Sequence, residues 1–291
     1  MKSVLVTGAN GQLGSELQQL APNYPKLSFT FVTRTELDLG NSHAITTWFT
    51  DKHFDIIINC AAYTAVDKAE TEIGLATAIN ATAVATLANI AKAQHSSLIH
   101  ISTDYVFAGQ NYRPYQETDP TDPQGVYGAS KLAGERALLS INPAKSLIIR
   151  TAWVYSTFGN NFVKTMLRLG KERAELGVIY DQVGSPTSAR DLATAILSII
   201  QHPKLQNLKG TEIYHYSNEG VCSWFDFAKA IFSYSDLACF VKPLETKEYP
   251  TPAKRPHYSL LNKAKIKHDF EITIPYWQDS LKTCLNTLNG K

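Results

Sequence analysis

The chain has no block of like charge, no closely spaced cysteines and no uninterrupted apolar run of 18 residues. Each absence removes a class of function. Its 28 basic and 26 acidic residues are spread over 291 positions and leave a net charge of +2. No basic stripe addresses a phosphate backbone, so no nucleic-acid partner is expected. Without a long apolar run, no membrane span is expected. The first apolar stretch stops at Gly8, too short for a secretory core. Cys60, Cys222, Cys239 and Cys284 lie far apart in sequence. They match neither a metal-ligand pattern nor a disulfide framework, and they read as thiols of a reducing, cytoplasmic setting. No metal is expected.

Hydrophobic residues make up 44% of the chain and charged residues 19%, which suits one large α/β domain with a smaller appendage. Residues 3–7 read as a short buried strand, followed by Gly8-Ala9-Asn10-Gly11-Gln12-Leu13-Gly14 and a helical run. Strand, glycine turn and helix in this order form a dinucleotide site. Gly8 permits the turn, Gly11 lets backbone approach a pyrophosphate, and Gly14 lets the helix pack on the sheet. The spacing is Gly-x-x-Gly-x-x-Gly, not the commonest fingerprint. The next strand, 28–33, ends at Thr33-Arg34, where a ribose-binding carboxylate often stands. Arginine there favours a 2′-phosphate, hence NADPH, with NADH as a second donor; a plain exposed arginine is the other reading. Asp38 and Leu39 are placed to flank adenine.

Residues 54–60 form the clearest buried strand, and the small residues of the Ala61-Ala62-Tyr63-Thr64 turn leave room for a ligand at its carboxyl end. Asn80 lies in an alanine-rich helix from about 73 to 94, either as a satisfied polar group or in a proton relay. Strand 97–101 leads to Thr103 and Asp104, and a Pro- and Gly-rich loop covers 108–125. In Val126-Tyr127-Gly128-Ala129-Ser130-Lys131, the phenol and the ammonium are four residues apart, on one face if the segment is helical. The ammonium is expected to favour the phenolate and bring Tyr127 into the range of proton transfer. A hydroxyl from Thr103 would join Tyr127 at a substrate carbonyl oxygen. Beyond residue 153 the strand–helix alternation weakens.

TGANGQLG, STDYVF and YGASK together resemble the extended short-chain dehydrogenase/reductases. CAAYTAVDKAE, RTAWVYSTFGNNFVKTMLRL, DQVGSPTSARDLA and YPTPAKRPHYSLLNKAK resemble the dTDP-4-dehydrorhamnose reductases within them, in order and over nearly the whole chain. The resemblance implies a doubly wound parallel sheet, Rossmann-like, over 1–153 with a return around 185–215. It implies a smaller α/β domain for the nucleotide sugar at 154–184 and 216–291. The implied reaction is NAD(P)H-dependent reduction of dTDP-4-dehydro-β-L-rhamnose at C4, the last step toward dTDP-L-rhamnose for surface polysaccharide.

By the same resemblance Tyr127 is the proton donor, Lys131 holds the nicotinamide ribose and lowers the Tyr127 pKa, and Thr103 bonds the sugar with Asp104 beside it. Gly11, Gln12 and Leu13 meet the cofactor phosphates, while Ala62, Tyr63 and Thr64 line the crevice. Trp153 packs on the sugar, and Asn161, Lys164 and Arg255 are candidates for the diphosphate. Tyr105 stands where related 4,6-dehydratases carry a proton-moving glutamate, which argues against dehydration. Some relatives join subunits through Mg²⁺ held by glutamates. Glu16 matches one position, but Arg190 stands where another glutamate would be wanted, so a homodimer need not be metal-linked. Two alternatives stay open. One is a reductase or epimerase of another dTDP- or UDP-sugar; the other is a non-catalytic subunit of the kind that regulates methionine adenosyltransferase.

Overall fold

The computed structural model describes residues 1–290. Six strands form one parallel sheet: β1 (Lys2–Thr7), β2 (Leu27–Val32), β3 (Ile56–Asn59), β4 (Ser97–Thr103), β5 (Ser146–Thr151) and, late in the chain, Thr211–His215. The middle strands are almost wholly buried, with apolar runs such as Ile56-Ile57-Ile58 and Leu147-Ile148-Ile149 in them, as strands covered on both faces require. With Glu175–Ile179 numbered β6 and Thr211–His215 β7, the sheet order is β7-β5-β4-β3-β1-β2, every pair parallel. The order in which strands are added reverses between β1 and β3. Their carboxyl ends therefore open a crevice, the usual place for a ligand in such a sheet.

Helices cover both faces. On one side α1 (Gln12–Leu20) packs beside Ala189–Ile199, and Leu13, Leu17, Leu192 and Ile196 join Val4, Val6, Ile56 and Ile58 in one core. On the other side lie α2 (Ser42–Trp48), α3 (Ile73–Gln94) and α4 (Val126–Ile141), with Ile45, Leu87 and Leu138 against Leu5, Ile57, Leu98 and Ile148. By length and composition α3 would pass for a membrane span, with a mean hydropathy of 1.5, more apolar than the sequence reading allowed. Here it lies on the sheet and carries a π-helical turn at Ala78–Thr82.

A second core is built by α5 (Phe162–Glu172), α7 (Trp224–Tyr234), β8 (Phe240–Leu244, paired with β6) and the last helix, Trp277–Leu288, while α6 (Ala189–Ile199) packs in the sheet-side core. Val163, Met166, Val178, Phe227, Ile231, Trp277 and Leu281 fill this core. The stretch 216–291 does not belong to it alone. Helix α8 (Ala264–Phe270) returns to the large sheet, where Ile266, Phe270 and Ile274 join the core of α1 and α6.

Candidate active site

The crevice at the strand ends is a cavity of about 830 Å³. Gly8 ends β1 with φ +66°, and an added Cβ there would lie 2.8 Å from the Ala61 backbone nitrogen. At Gly14 a Cβ would lie 2.3 Å from the Gly8 carbonyl oxygen. The turn is therefore closed against any side chain at these two positions. Gly11 precedes α1 with extended backbone and offers no side-chain cap, and the first turn holds no acidic residue. Its free N–H groups and positive dipole end face the cavity, a cradle that fits a dinucleotide pyrophosphate.

Most residues expected at the cofactor meet here. Gly8, Gly11, Gln12, Leu13, Arg34, Asp38, Leu39, Ala62, Tyr63 and Thr64 all line this one cavity. Gly14 lies behind the turn rather than in the wall. At the far end Arg34 and Asp38 form an exposed pair at 3.5 Å. Asn80 proves to be a brace. Its Oδ1 accepts from Tyr63 N at 2.9 Å, and its Nδ2 donates to Tyr63 O and, at 3.0 Å, to Ser130 Oγ. Ser130 in turn donates to Tyr127 O. The turn after β3 is thus tied to the helix that carries Tyr127 and Lys131.

Thr103, Asp104, Tyr127, Lys131 and Trp153 line the same cavity. Gly128 allows α4 to sit against the Asp104–Tyr105 turn, where a Cβ would be 2.2 Å from Tyr105 O. The ring of Tyr105 meets Tyr127 edge-on, with centroids 5.5 Å apart. Trp153 adopts φ +50°, a strained conformation for a bulky residue, and stacks on Trp224 at 3.6 Å. Local strain of this kind clusters at functional sites.

The electrostatics correct one expectation. Lys131 does not lower the Tyr127 pKa. Its Nζ donates to Ile101 O at 2.6 Å and lies 3.3 Å from His100 Nε2. Burial dominates and pushes Tyr127 up to about 12, against the pull of the Thr103 hydroxyl. Burial also brings Lys131 down to about 8, against the opposing charge of Glu135. The phenol therefore keeps its proton at neutral pH, the state a proton donor needs.

Asp104 is buried, and its pKa is pushed up to about 6 by burial, against hydrogen bonds led by that of Thr103. Thr103 Oγ1 donates to Asp104 Oδ1 at 2.9 Å, while Oδ2 has no hydrogen-bond partner among the described residues. With the folded pKa above the unfolded one, the carboxylate destabilises the fold once it ionises. The cost is absent below about pH 4, grows between about pH 4 and 6, and is constant above that. Asp104→Asn should therefore be more stable than the parent by about 2–3 kcal/mol at pH 7, and the gain should vanish at pH 3.5. Denaturant unfolding at both pH values checks this. An equal gain at both would remove the ionised carboxylate from the account.

The three diphosphate candidates are not brought into the cavity. Asn161 caps α5 through Lys164 N, and its amide donates to Gln12 Oε1 at 3.0 Å and Ser156 O at 2.7 Å. Lys164 Nζ donates to Gly159 O at 2.9 Å. Arg255 is held by Asp67 through two hydrogen bonds, at 3.0 and 2.7 Å. All three are engaged with partners that lie near or far in sequence and that the motifs did not reveal. Glu16 is buried, accepts from Ser156 Oγ at 2.6 Å and lies 3.7 Å from Arg190 Nη1. Sequence reasoning missed His100 and Asn59 beneath Lys131. A large polar residue directly after a buried apolar run, Asn59 after Ile56-Ile57-Ile58 and His100 after Leu98-Ile99, was the signal.

Comparison with known proteins follows this geometry closely. The family model described as RmlD substrate binding domain matches residues 1–289. A dTDP-4-dehydrorhamnose reductase of Escherichia coli K12 is 44% identical over 98% of each chain. A crystal structure of a dTDP-4-dehydrorhamnose reductase from Clostridium acetobutylicum superposes with a TM-score of 0.91 at 42% identity, covering 99% of both chains. One from Bacillus anthracis, solved in complex with NADP, gives 0.90 at 41% identity over 98% of this chain and 99% of that one. The chain therefore belongs to the RmlD substrate binding domain family, among the dTDP-4-dehydrorhamnose reductases.

Proposed function

We propose that this protein reduces the C4 keto group of dTDP-4-dehydro-β-L-rhamnose to give dTDP-β-L-rhamnose. The observation that carries the reading is one cavity that joins a glycine-turn dinucleotide cradle to Thr103, Tyr127 and Lys131. NADPH, when bound, supplies the hydride. The chain's own residues do the rest. The glycine turn and the start of α1 hold the pyrophosphate. Lys131 has N–H left to hold the nicotinamide ribose. Tyr127, protonated at neutral pH, gives its proton to the C4 oxygen, and the Thr103 hydroxyl steadies that oxygen while charge builds on it. Trp153 and Asp104 border the sugar. Asn161, Lys164 and Arg255 reach the diphosphate only by giving up their present partners. Tyr105, in the place of a proton-moving glutamate, supports reduction rather than dehydration.

The reading is tested by following NADPH oxidation with purified protein and the keto-sugar. Oxidation should require all three components and yield dTDP-rhamnose. Cofactor binding without oxidation would instead support a regulatory subunit or a different sugar. Arg34, exposed beside the cavity, is proposed to read the ribose 2′-phosphate. Arg34→Ala should weaken NADPH about tenfold and NADH hardly at all, the size expected for one charge-assisted contact at a wet surface. Equal losses for both cofactors, by fluorescence titration, would end that assignment.

A further inference from the structure

Thr7, Asn59 and His100 form a polar row across three neighbouring apolar strands. Thr7 on β1 pairs with Asn59 on β3, and Asn59 pairs with His100 on β4. All three side chains are buried, His100 completely. They are bonded end to end. Thr7 Oγ1 donates to Asn59 Oδ1 at 2.7 Å, and Asn59 Nδ2 meets His100 Nδ1 at 3.1 Å. His100 Nε2 lies 3.3 Å from Lys131 Nζ. A sheet core does not need an amide and an imidazole, and burying them costs stability unless every polar atom is matched.

We propose that His100 is a positioning residue for Lys131: the row from Thr7 aims the lysine Nζ into the cavity, and the imidazole changes tautomer to match the lysine's charge. This rests on reading the cavity as a dinucleotide site. An ammonium has three N–H donors and no acceptor. Ile101 O takes one, at 2.6 Å, and His100 Nε2, 3.3 Å away, takes a second whenever its ring proton sits on Nδ1, so only one is left for the cavity. That fixes its direction.

For Nε2 to accept, the ring proton must sit on Nδ1, and Asn59 must turn its oxygen toward it. When Lys131 is an uncharged amine, the order reverses: Asn59 donates to Nδ1, and Nε2–H donates to the lysine nitrogen. His100 carries one proton in both states, and only its seat changes. In the exchange the lysine hands one proton to Nε2 and the ring releases its Nδ1 proton to solvent when the Asn59 contact opens, so the pair loses one proton in all. Burial, with the lysine's charge beside it, holds the ring well below its ordinary pKa, so His100 itself stays neutral. The charged and titratable groups around the pair are few. Glu135 of α4 favours the ammonium, but Arg150 of β5 already holds it at 2.6 Å. Tyr127 and Asp104 face the same cavity, and Cys60 borders it from β3.

The test is ¹⁵N NMR of the histidine-labelled chain, with His100→Gln used to assign the signals. Between about pH 6 and 10, His100 should pass from the Nδ1–H to the Nε2–H tautomer with a midpoint near 8, and no imidazolium should appear. In Lys131→Met the switch should be absent. A single tautomer throughout, or protonation of His100 in this range, would overturn the proposal. This arm needs no turnover, so its failure is separate from failure of the proposed reaction. A kinetic arm compares His100→Phe with His100→Gln. Phenylalanine should lower kcat about tenfold at unchanged KM for the sugar nucleotide and displace the lysine limb of the pH profile, the loss of one hydrogen bond to a charged group. Glutamine, whose amide offers either oxygen or nitrogen, should recover most of it. Parent-like kcat and pH profile in His100→Phe would refute the positioning role.

Discussion

Tyr127→Phe should lose about 10² to 10⁴-fold in kcat while binding NADPH as the parent does. The substitution removes one hydroxyl and keeps the ring, so the edge-on packing against Tyr105 at 5.5 Å survives. Without the hydroxyl the C4 oxygen has no proton donor at the right place. Thr103 cannot replace it: its alkyl hydroxyl can turn from Asp104, to which it now donates at 2.9 Å, and hydrogen-bond the oxygen, but it does not give up its proton. The pH dependence follows from the same geometry. A phenol pushed up to about 12 stays protonated across the working range. An alkaline loss of activity with a midpoint near 8 would therefore belong to Lys131, and it should disappear from Lys131→Met rather than from Tyr127→Phe. Stopped-flow NADPH oxidation separates the chemical step from release. A kcat within a factor of about three of the parent would remove Tyr127 from the role of proton donor.

Lys131→Met should show opposite effects on activity and stability. The lysine is buried, and its folded pKa of about 8 lies below the ordinary 10.5. Below about pH 8 the charged form is present in both states, and its burial opposes folding by about 3 kcal/mol; the cost fades as pH rises toward 10.5. Methionine fills similar space without the charge. It also leaves Ile101 O and His100 Nε2 without their partner, which takes back part of the gain. At pH 7 the variant should therefore be more stable than the parent, by about 1–2 kcal/mol, and should lose that advantage above about pH 10. Turnover should fall about 10²-fold or more and NADPH affinity should weaken, because the one free N–H of the ammonium is gone. Denaturation and cofactor titration on the same sample check both halves. A variant less stable than the parent at pH 7 would mean the buried charge is better compensated than burial alone implies.

What the sequence made legible was local. The glycine turn, the Thr103 strand end and the Tyr127–Lys131 spacing each lie within a few residues, and each specifies its geometry by residue type alone. The helix does put Tyr127 and Lys131 into one cavity wall. The direction of the lysine was not legible, because it depends on His100 and Ile101, some 30 residues earlier in the chain. For the same reason the phenol was expected to be acidified and is not. Arg255 reads in sequence as a diphosphate candidate, yet it is held by Asp67, 188 positions away. Asn161 looked like a ligand and is a helix cap, a role its place before Phe162 already allowed. The return of α8 to the large sheet escaped notice because Ile266, Phe270 and Ile274 fit either core by pattern. Only the packing decides between them.

The central claim is that the cavity carries hydride transfer to C4 of the sugar, with Tyr127 supplying the proton. The most direct measurement uses NADPH deuterated at the nicotinamide C4 and analyses the product by NMR and mass spectrometry. The account predicts dTDP-β-L-rhamnose with one deuterium, at C4 of the sugar. A product with deuterium elsewhere, an epimerised keto-sugar without deuterium, or no conversion despite bound NADPH would contradict it.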